Sequence, residues 1–263
     1  TAFWDSFKRA RPRRIDEISQ WQAALRIDTR ADILPGGVAA NPAGEPSAPE
    51  KLEILLVSAS PIRARRQLAV DVEFARIIDK LRHRSNLKIV LRTAVTFDRL
   101  QSALNDSTPQ ILHISCHGEP GYLHFEPERS GDPAQLIHQD ALVHTLDALD
   151  PPLRLVVLNA CDSLSIAQRL VAPKAPVAEW AIGMNAPIYD HDAVSFSGTL
   201  YDTIAAGRSL DAAFKNAVAR LMADAPPSQD PDAPHAIPRL VPDDRARAKK
   251  AVFVAPSARA RIK

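Results

Sequence analysis

The chain has only two cysteines, Cys116 and Cys161. That is too few for the disulfide framework of a secreted scaffold, and it points to a reducing compartment, so a cytoplasmic location is expected. Charge of one sign is also scarce in excess: the formal net charge is +2. Nothing in bulk charge calls for nucleic acid or a membrane surface as partner. No apolar run approaches the roughly 18–20 residues of a membrane span. The first residues, TAFWDSFKRARPRR, hold no apolar core of signal-peptide type, so no such leader is expected there. The chain opens on Thr1 rather than Met, which fits a piece of something longer. Glycine occurs 9 times, yet no GxGxxG or GxxxxGK[ST] run is formed, so nucleotide binding is not indicated. No GxSxG elbow is present either, which disfavours a serine nucleophile.

What is present is an ordinary globular composition, 46% hydrophobic and 24% charged. A chain of 263 residues can bury a core without disulfides or metal. Residues 1–50 divide from the rest. Ile15, Ile18, Trp21 and Leu25 fit a helix stripe, and LPGGVAANPAGEPSAPE over 34–50 reads as an irregular linker. Residues 51–263 then form the organised domain.

That domain alternates strands and helices. LEILLVSAS (52–60), LKIVLR (87–92), ILHIS (111–115), LRLVVLN (153–159), VAEWAIGM (177–184) and AVFVA (251–255) read as strands. A helix follows Pro61, with Leu68, Val72, Ala75, Ile78 and Leu81 on its apolar face. Further helices are expected over 97–105 behind a Thr96 cap, from about 139, and over 164–172, 191–206 and 210–222. GYLHFEPERSGD reads as a small hairpin. This order predicts an α/β domain with a mostly parallel central sheet and helices on both faces. In such sheets functional residues gather at the carboxyl ends of strands.

Two of those ends carry reactive side chains: His117 lies just past ILHIS and Cys161 just past LRLVVLN. A thiol nucleophile needs a nearby imidazole to take its proton and to protonate the leaving group. It also needs N–H donors for the developing oxyanion. Gly118 lets backbone approach a substrate carbonyl closely, so the N–H groups of Gly118 and Cys161 are the candidates. From residue types alone the alternative stays open that both cysteines are buried small hydrophobes. Cys116 is expected in the core. Ser163 and Ser165 are expected to cap the following helix. His113, Cys116, His117 and His124 lack the paired spacing of a zinc site, so no metal and no cofactor is expected.

The ordered stretch SAS-P, ILHISCHGEPGYLHFE, LRLVVLNACDS, WAIGM and LYDTIAAGRSLDAAF resembles the CHAT domain, a bacterial relative of caspases and separases. The resemblance runs from about 52 to about 222. It implies a caspase-like fold and a cysteine endopeptidase with His117 as general base, Cys161 as nucleophile, and Gly118 with Cys161 at the oxyanion. Its IGMxxxIxD element falls on Ile182, Gly183, Met184, Ile188 and Asp190. By that likeness Asp190, Met184 and Asn159 are expected near the substrate. Asp190 would accept a basic P1 side chain or, alternatively, cap a helix. Asn159 stands where metacaspases carry an acid, so that device is absent. Asp162 is expected to cap the next helix or order the loop. The resemblance also implies a protein substrate, for example a gasdermin-like protein. It further implies an upstream sensor module or protein as activating partner, and a role in bacterial immunity or cell death. A scaffold module that has lost turnover, or a small-molecule thiol hydrolase, are the rival readings.

Overall fold

The computed structural model describes residues 51–61, 67–82, 84, 86–224 and 233–254. The expected helix over 15–25 and the linker over 34–50 lie outside the described residues.

In chain order the described strands are β1 (Leu52–Ser58), β2 (Leu87–Arg92), β3 (Ile111–Ser115), β4 (His117–Glu119), β5 (Tyr122–Phe125), β6 (Gln135–His138), β7 (Leu153–Asn159), β8 (Ala178–Met184) and β9 (Pro238–Val241). The described helices are α1 (Val70–Leu81), α2 (Phe97–Asn105), α3 (Gln139–Asp147), α4 (Leu164–Leu170), α5 (Asp190–Ala205), α6 (Leu210–Asp224) and α7 (Arg245–Ala248). A six-stranded sheet runs in the order β2-β1-β3-β7-β8-β9, and β4-β5-β6 make a second, small one. All pairings from β2 to β8 are parallel, and β9 joins β8 antiparallel at the edge.

Parallel strands joined by helices are covered on both faces, which explains their near-continuous apolar character. Alternate side chains serve opposite layers. Ile54 and Leu56 pack towards α1, α5 and α6, with Phe74, Ile77, Phe196 and Leu200. Leu55 and Val57 face α2, α3 and α4, with Leu100, Leu142 and Ile166, and the small sheet adds Leu123 and Phe125 to that side.

The mostly parallel α/β architecture matches the sequence reading, but four local features differ. The last strand of the large sheet is Pro238–Val241, not 251–255; Val252 makes only an isolated bridge with Ser209. Prolines at 238 and 242 conceal that strand. An antiparallel edge position tolerates Pro238, because no second neighbour requires its N–H. The buried face of α1 is Glu73, Phe74, Ile77, Ile78 and Leu81, whereas Val72 is 43% exposed. The hairpin gains a third strand, β4, which places His117 inside a ladder opposite His124. The N-cap of α5 is Tyr189, and Asp190 is its first helical residue. Thr96 caps α2 as expected, its hydroxyl accepting from the Arg99 amide.

Candidate active site

Strands β3 and β7 are adjacent and in register, with Ser115 opposite Asn159. His117 and Cys161 each follow one of these partners by two residues, so sheet topology alone brings both to one edge. A cleft opens there. His117, Cys161, Ser115, Asn159, Glu73 and Asp190 line its polar side, and Val70, Ile188 and Val194 supply apolar wall. Of the sequence-predicted residues, the cleft collects His117, Cys161, Asn159 and Asp190. Met184 is not among them: it is fully buried in the core on the α1/α5 side.

The loop carrying Cys161 is built tightly. Asp162 adopts a left-handed backbone, φ 52°, which turns the chain from β7 into α4. Asp tolerates that region better than most residues with a β-carbon. Ser163 occupies the N-cap position of α4, yet its hydroxyl makes no cap bond. It donates instead to the Ala160 carbonyl at 2.7 Å and accepts the Met184 amide at 3.0 Å, tying the loop to β8. Gly183 permits that approach: a β-carbon there would lie 2.8 Å from the Ala167 side chain and 2.9 Å from the Ser163 carbonyl oxygen. At Gly118 a β-carbon would overlap the Cys161 carbonyl oxygen outright.

Burial pushes the Cys161 thiol above its ordinary range; the Ile188 N–H facing the sulfur pulls it down, and the carboxylates of Asp162 and Asp190 push it up again. Cys161 in this state therefore rests as a neutral thiol. Cys116 is buried among apolar side chains, and burial pushes its thiol up to about 12. It is chemically quiet at neutral pH. The His117 ring lies across the ladder from His124, with centroids 6.4 Å apart, and His124 Nε2 is 3.6 Å from Glu119 Oε1. Burial lowers the His124 imidazole, which Glu119 opposes and His117 reinforces.

Sequence reasoning missed what four residues contribute: Glu73, His124, Glu119 and Ser163. Glu73 is absent from the apolar face expected for its helix, which has Val72 and Ala75 where the structure buries Glu73 and Phe74. His124 and Glu119 come behind His117 only through the turn at Gly121, φ 81°. The HGE-P-G-YLH spacing was the available signal. The role of Ser163 required knowing that β8 passes within contact of α4. Among the described residues, no group of three His, Cys, Asp or Glu is arranged to hold a metal ion. No helix among them is long and apolar enough to cross a membrane.

Residues 26–236 match the CHAT domain. The chain belongs to the CHAT domain family. A relative, the Roc-COR-CHAT protease of Runella zeae, is 27% identical over 154 residues, which is 59% of this chain. The matched stretch spans only 16% of that relative's length. Among solved structures, caspase-1 from Spodoptera frugiperda aligns with a TM-score of 0.50 at 12% identity, covering 84% of this chain and 99% of the caspase. The Arg-specific cysteine proteinase gingipain R aligns with a TM-score of 0.50 at 13% identity, covering 70% of this chain and 44% of that one. At such identities these likenesses establish the fold. It is the caspase-like fold, and the CHAT cleft lies at the carboxyl edge of its sheet.

Proposed function

We propose that this CHAT domain is a caspase-like cysteine endopeptidase in which Cys161 is the nucleophile and His117 the acid–base. The observation that carries the reading is the meeting of His117 and Cys161 in one cleft, beside a Gly118 that admits no side chain. The Cys161 sulfur attacks the peptide carbonyl carbon as its proton passes to His117. The N–H groups of Gly118 and Cys161 stabilise the oxyanion. His117 then protonates the leaving amine, the C–N bond breaks, and a thioester remains. Water, deprotonated by His117, hydrolyses the thioester and returns the thiol. The raised Cys161 pKa suits this order of events, because the thiol proton leaves only when an imidazole is in place to take it.

Asp190 lines the cleft close enough to Cys161 to act on its titration, which supports a role in binding a basic P1 side chain. The substrate is a specific protein partner. The family resemblance supports a regulated effector in bacterial immunity or cell death, with a gasdermin-like protein as target and a sensor module as activator. The Runella relative, much longer than this chain, itself carries the name Roc-COR-CHAT protease.

The decisive experiment is a fluorogenic peptide library presented to wild type, Cys161→Ala and His117→Ala. Cleavage by wild type and loss in both variants is the expected result. Cleavage that survives Cys161→Ala overturns the mechanism. Within the same library, Asp190→Asn is expected to weaken any preference for Arg and Lys at P1; an unchanged preference removes Asp190 from the subsite.

A further inference from the structure

Beneath the cleft lies a buried polar cluster centred on Glu73 of α1. Its Oε1 accepts from Nε2 of His113 at 3.0 Å, Nδ2 of Asn159 at 2.5 Å and the Ser197 hydroxyl at 2.7 Å. Its Oε2 accepts from the Ser115 hydroxyl at 2.6 Å. The Tyr201 hydroxyl lies 3.2 Å from Nδ1 of His113 and closes the set on the α5 side. Every one of these side chains is buried.

Such a cluster is not what this layer of the fold needs in order to pack. Elsewhere α1 and α5 meet the sheet through Phe74, Ile77, Phe196 and Leu200. Packed apolar groups serve stability at least as well as a buried charge, and polar networks serve best to fix one arrangement. On the sheet, the polar set occupies only His113 and Ser115 of β3 and Asn159 at the end of β7. There, Ser115 and Asn159 are register partners. One precedes His117 by two residues and the other precedes Cys161 by two. Both donate to the same carboxylate.

Burial pushes the Glu73 carboxyl up, but the neighbouring His113 and the hydrogen bonds from His113, Ser115 and Ser197 outweigh it and leave it below the usual carboxylate range. The group is therefore an anion at neutral pH, an acceptor on both oxygens. A charged acceptor holds its donors more tightly and at shorter range than a neutral one.

We propose that Glu73 is a positioning residue: by accepting from Ser115 and Asn159 at once, its carboxylate sets the relative placement of His117 and Cys161. The inference rests on the peptidase reading for its purpose, but its observable consequence is the reactivity of Cys161, which needs no turnover. Displacing a reacting group by about 1 Å can cost on the order of a hundredfold in rate. Two strand ends held to separate anchors could drift by that much; a shared anchor removes the freedom.

The test compares Glu73→Gln, Ser115→Ala and His117→Ala with wild type, using the pH profile of Cys161 alkylation by iodoacetamide, read by mass spectrometry, and peptide kcat and KM. Asp211→Asn is the control for a purely structural carboxylate. Asp211 is buried in α6, is held by Lys215 and Arg245, and is absent from the cleft. Glu73→Gln keeps the volume of the side chain and loses its charge. The expected result is a fall of at least tenfold in kcat with KM little changed. The alkylation profile should move towards that of His117→Ala. Asp211→Asn should lower the melting temperature and leave the profile in place. Ser115→Ala, which removes the donor at the end of β3 and leaves that of His113, should move the profile in the same direction by less, and it decides the matter if Glu73→Gln does not fold. A folded Glu73→Gln or Ser115→Ala with kcat and alkylation profile within twofold of wild type overturns the proposal. Failure of the peptidase reading looks different: His117→Ala would then leave both cleavage and alkylation unchanged.

Discussion

Gly118 packs so closely on the backbone of Cys161 that a β-carbon at position 118 would occupy the space of the Cys161 carbonyl oxygen. The contact is between two backbones, so no rotamer change can relieve it. Gly118→Ala must move β4, the Cys161 loop, or both. In the peptidase reading these two residues also present the oxyanion donors, and losing one such donor costs on the order of a hundredfold in kcat. Gly118→Ala is expected to lower kcat by about that factor and to change KM little. Steady-state kinetics on any cleaved peptide checks it, and a variant within threefold of wild type counts against the placement of the oxyanion.

The turn at Asp162 separates conformation from charge. Its φ of 52° lies where β-branched side chains are strained, and its carboxylate is one of the groups that push the Cys161 thiol up. Asp162→Asn keeps the left-handed tolerance and removes the charge. The Cys161 titration should then move down, so iodoacetamide alkylation at a fixed pH below the midpoint becomes faster. Asp190→Asn should act in the same direction. Asp162→Val also removes the charge but strains the turn by about 1–2 kcal/mol. It is expected to lose activity and thermal stability. Cys116, buried and pushed up to about 12, should remain unlabelled throughout, which peptide mapping verifies.

The strands were legible because burial on both faces writes itself as continuous apolar runs: 52–58, 111–115 and 153–159 need no helix to be recognised. The placement of His117 and Cys161 at one sheet edge was legible for the same reason, since strand ends are where parallel sheets expose side chains; pairing them as base and nucleophile rested on the resemblance to the CHAT domain. Glu73 was not. An acidic residue in an amphipathic helix reads as solvated face, and only its three-dimensional partners, contributed by β3, β7 and α5, make it a buried anion. His124 and Glu119 depended on a three-residue strand too short to show a period. The edge strand Pro238–Val241 was hidden because proline argues against a strand everywhere except at an edge. That position is set by the whole sheet and not by local sequence.

Gly183 shows how one absent side chain can hold two elements together. A β-carbon there would stand 2.8 Å from the Ala167 side chain and 2.9 Å from both the Leu164 Cα and the Ser163 carbonyl oxygen. Backbone is among those neighbours, so the strain cannot be confined to a side chain. Overpacking of this kind costs about 1–3 kcal/mol. Gly183→Ala should lower the melting temperature by several degrees at this chain length. Because Ser163 receives the Met184 amide, the displacement should also reach Cys161. A differential scanning measurement with parallel alkylation kinetics tests both, and an unchanged melting temperature would show that β8 is free to shift.

Asp192 and Asp211 should give stability opposite dependences on pH. Burial raises the Asp192 carboxyl above its ordinary 3.8, with His191 pulling it back, and its Oδ2 is buried without a hydrogen-bond partner. Hydrogen bonds from Lys215 and Arg245 hold Asp211 below the same value, against burial. For Asp211 the folded pKa lies under the unfolded one. Its contribution is present above the unfolded pKa and is lost as pH falls through the folded value. For Asp192 the folded pKa lies above, so a penalty appears as pH rises through that window and persists at neutrality. The melting temperature of Asp192→Asn, relative to wild type, should therefore climb between about pH 3 and pH 7, whereas that of Asp211→Asn should fall over the same range. Thermal denaturation of the three proteins across that range settles the signs. Parallel curves for Asp192→Asn and wild type would mean that its carboxyl titrates alike in the folded and unfolded chain, and that the start of α5 is more open to water than its burial implies.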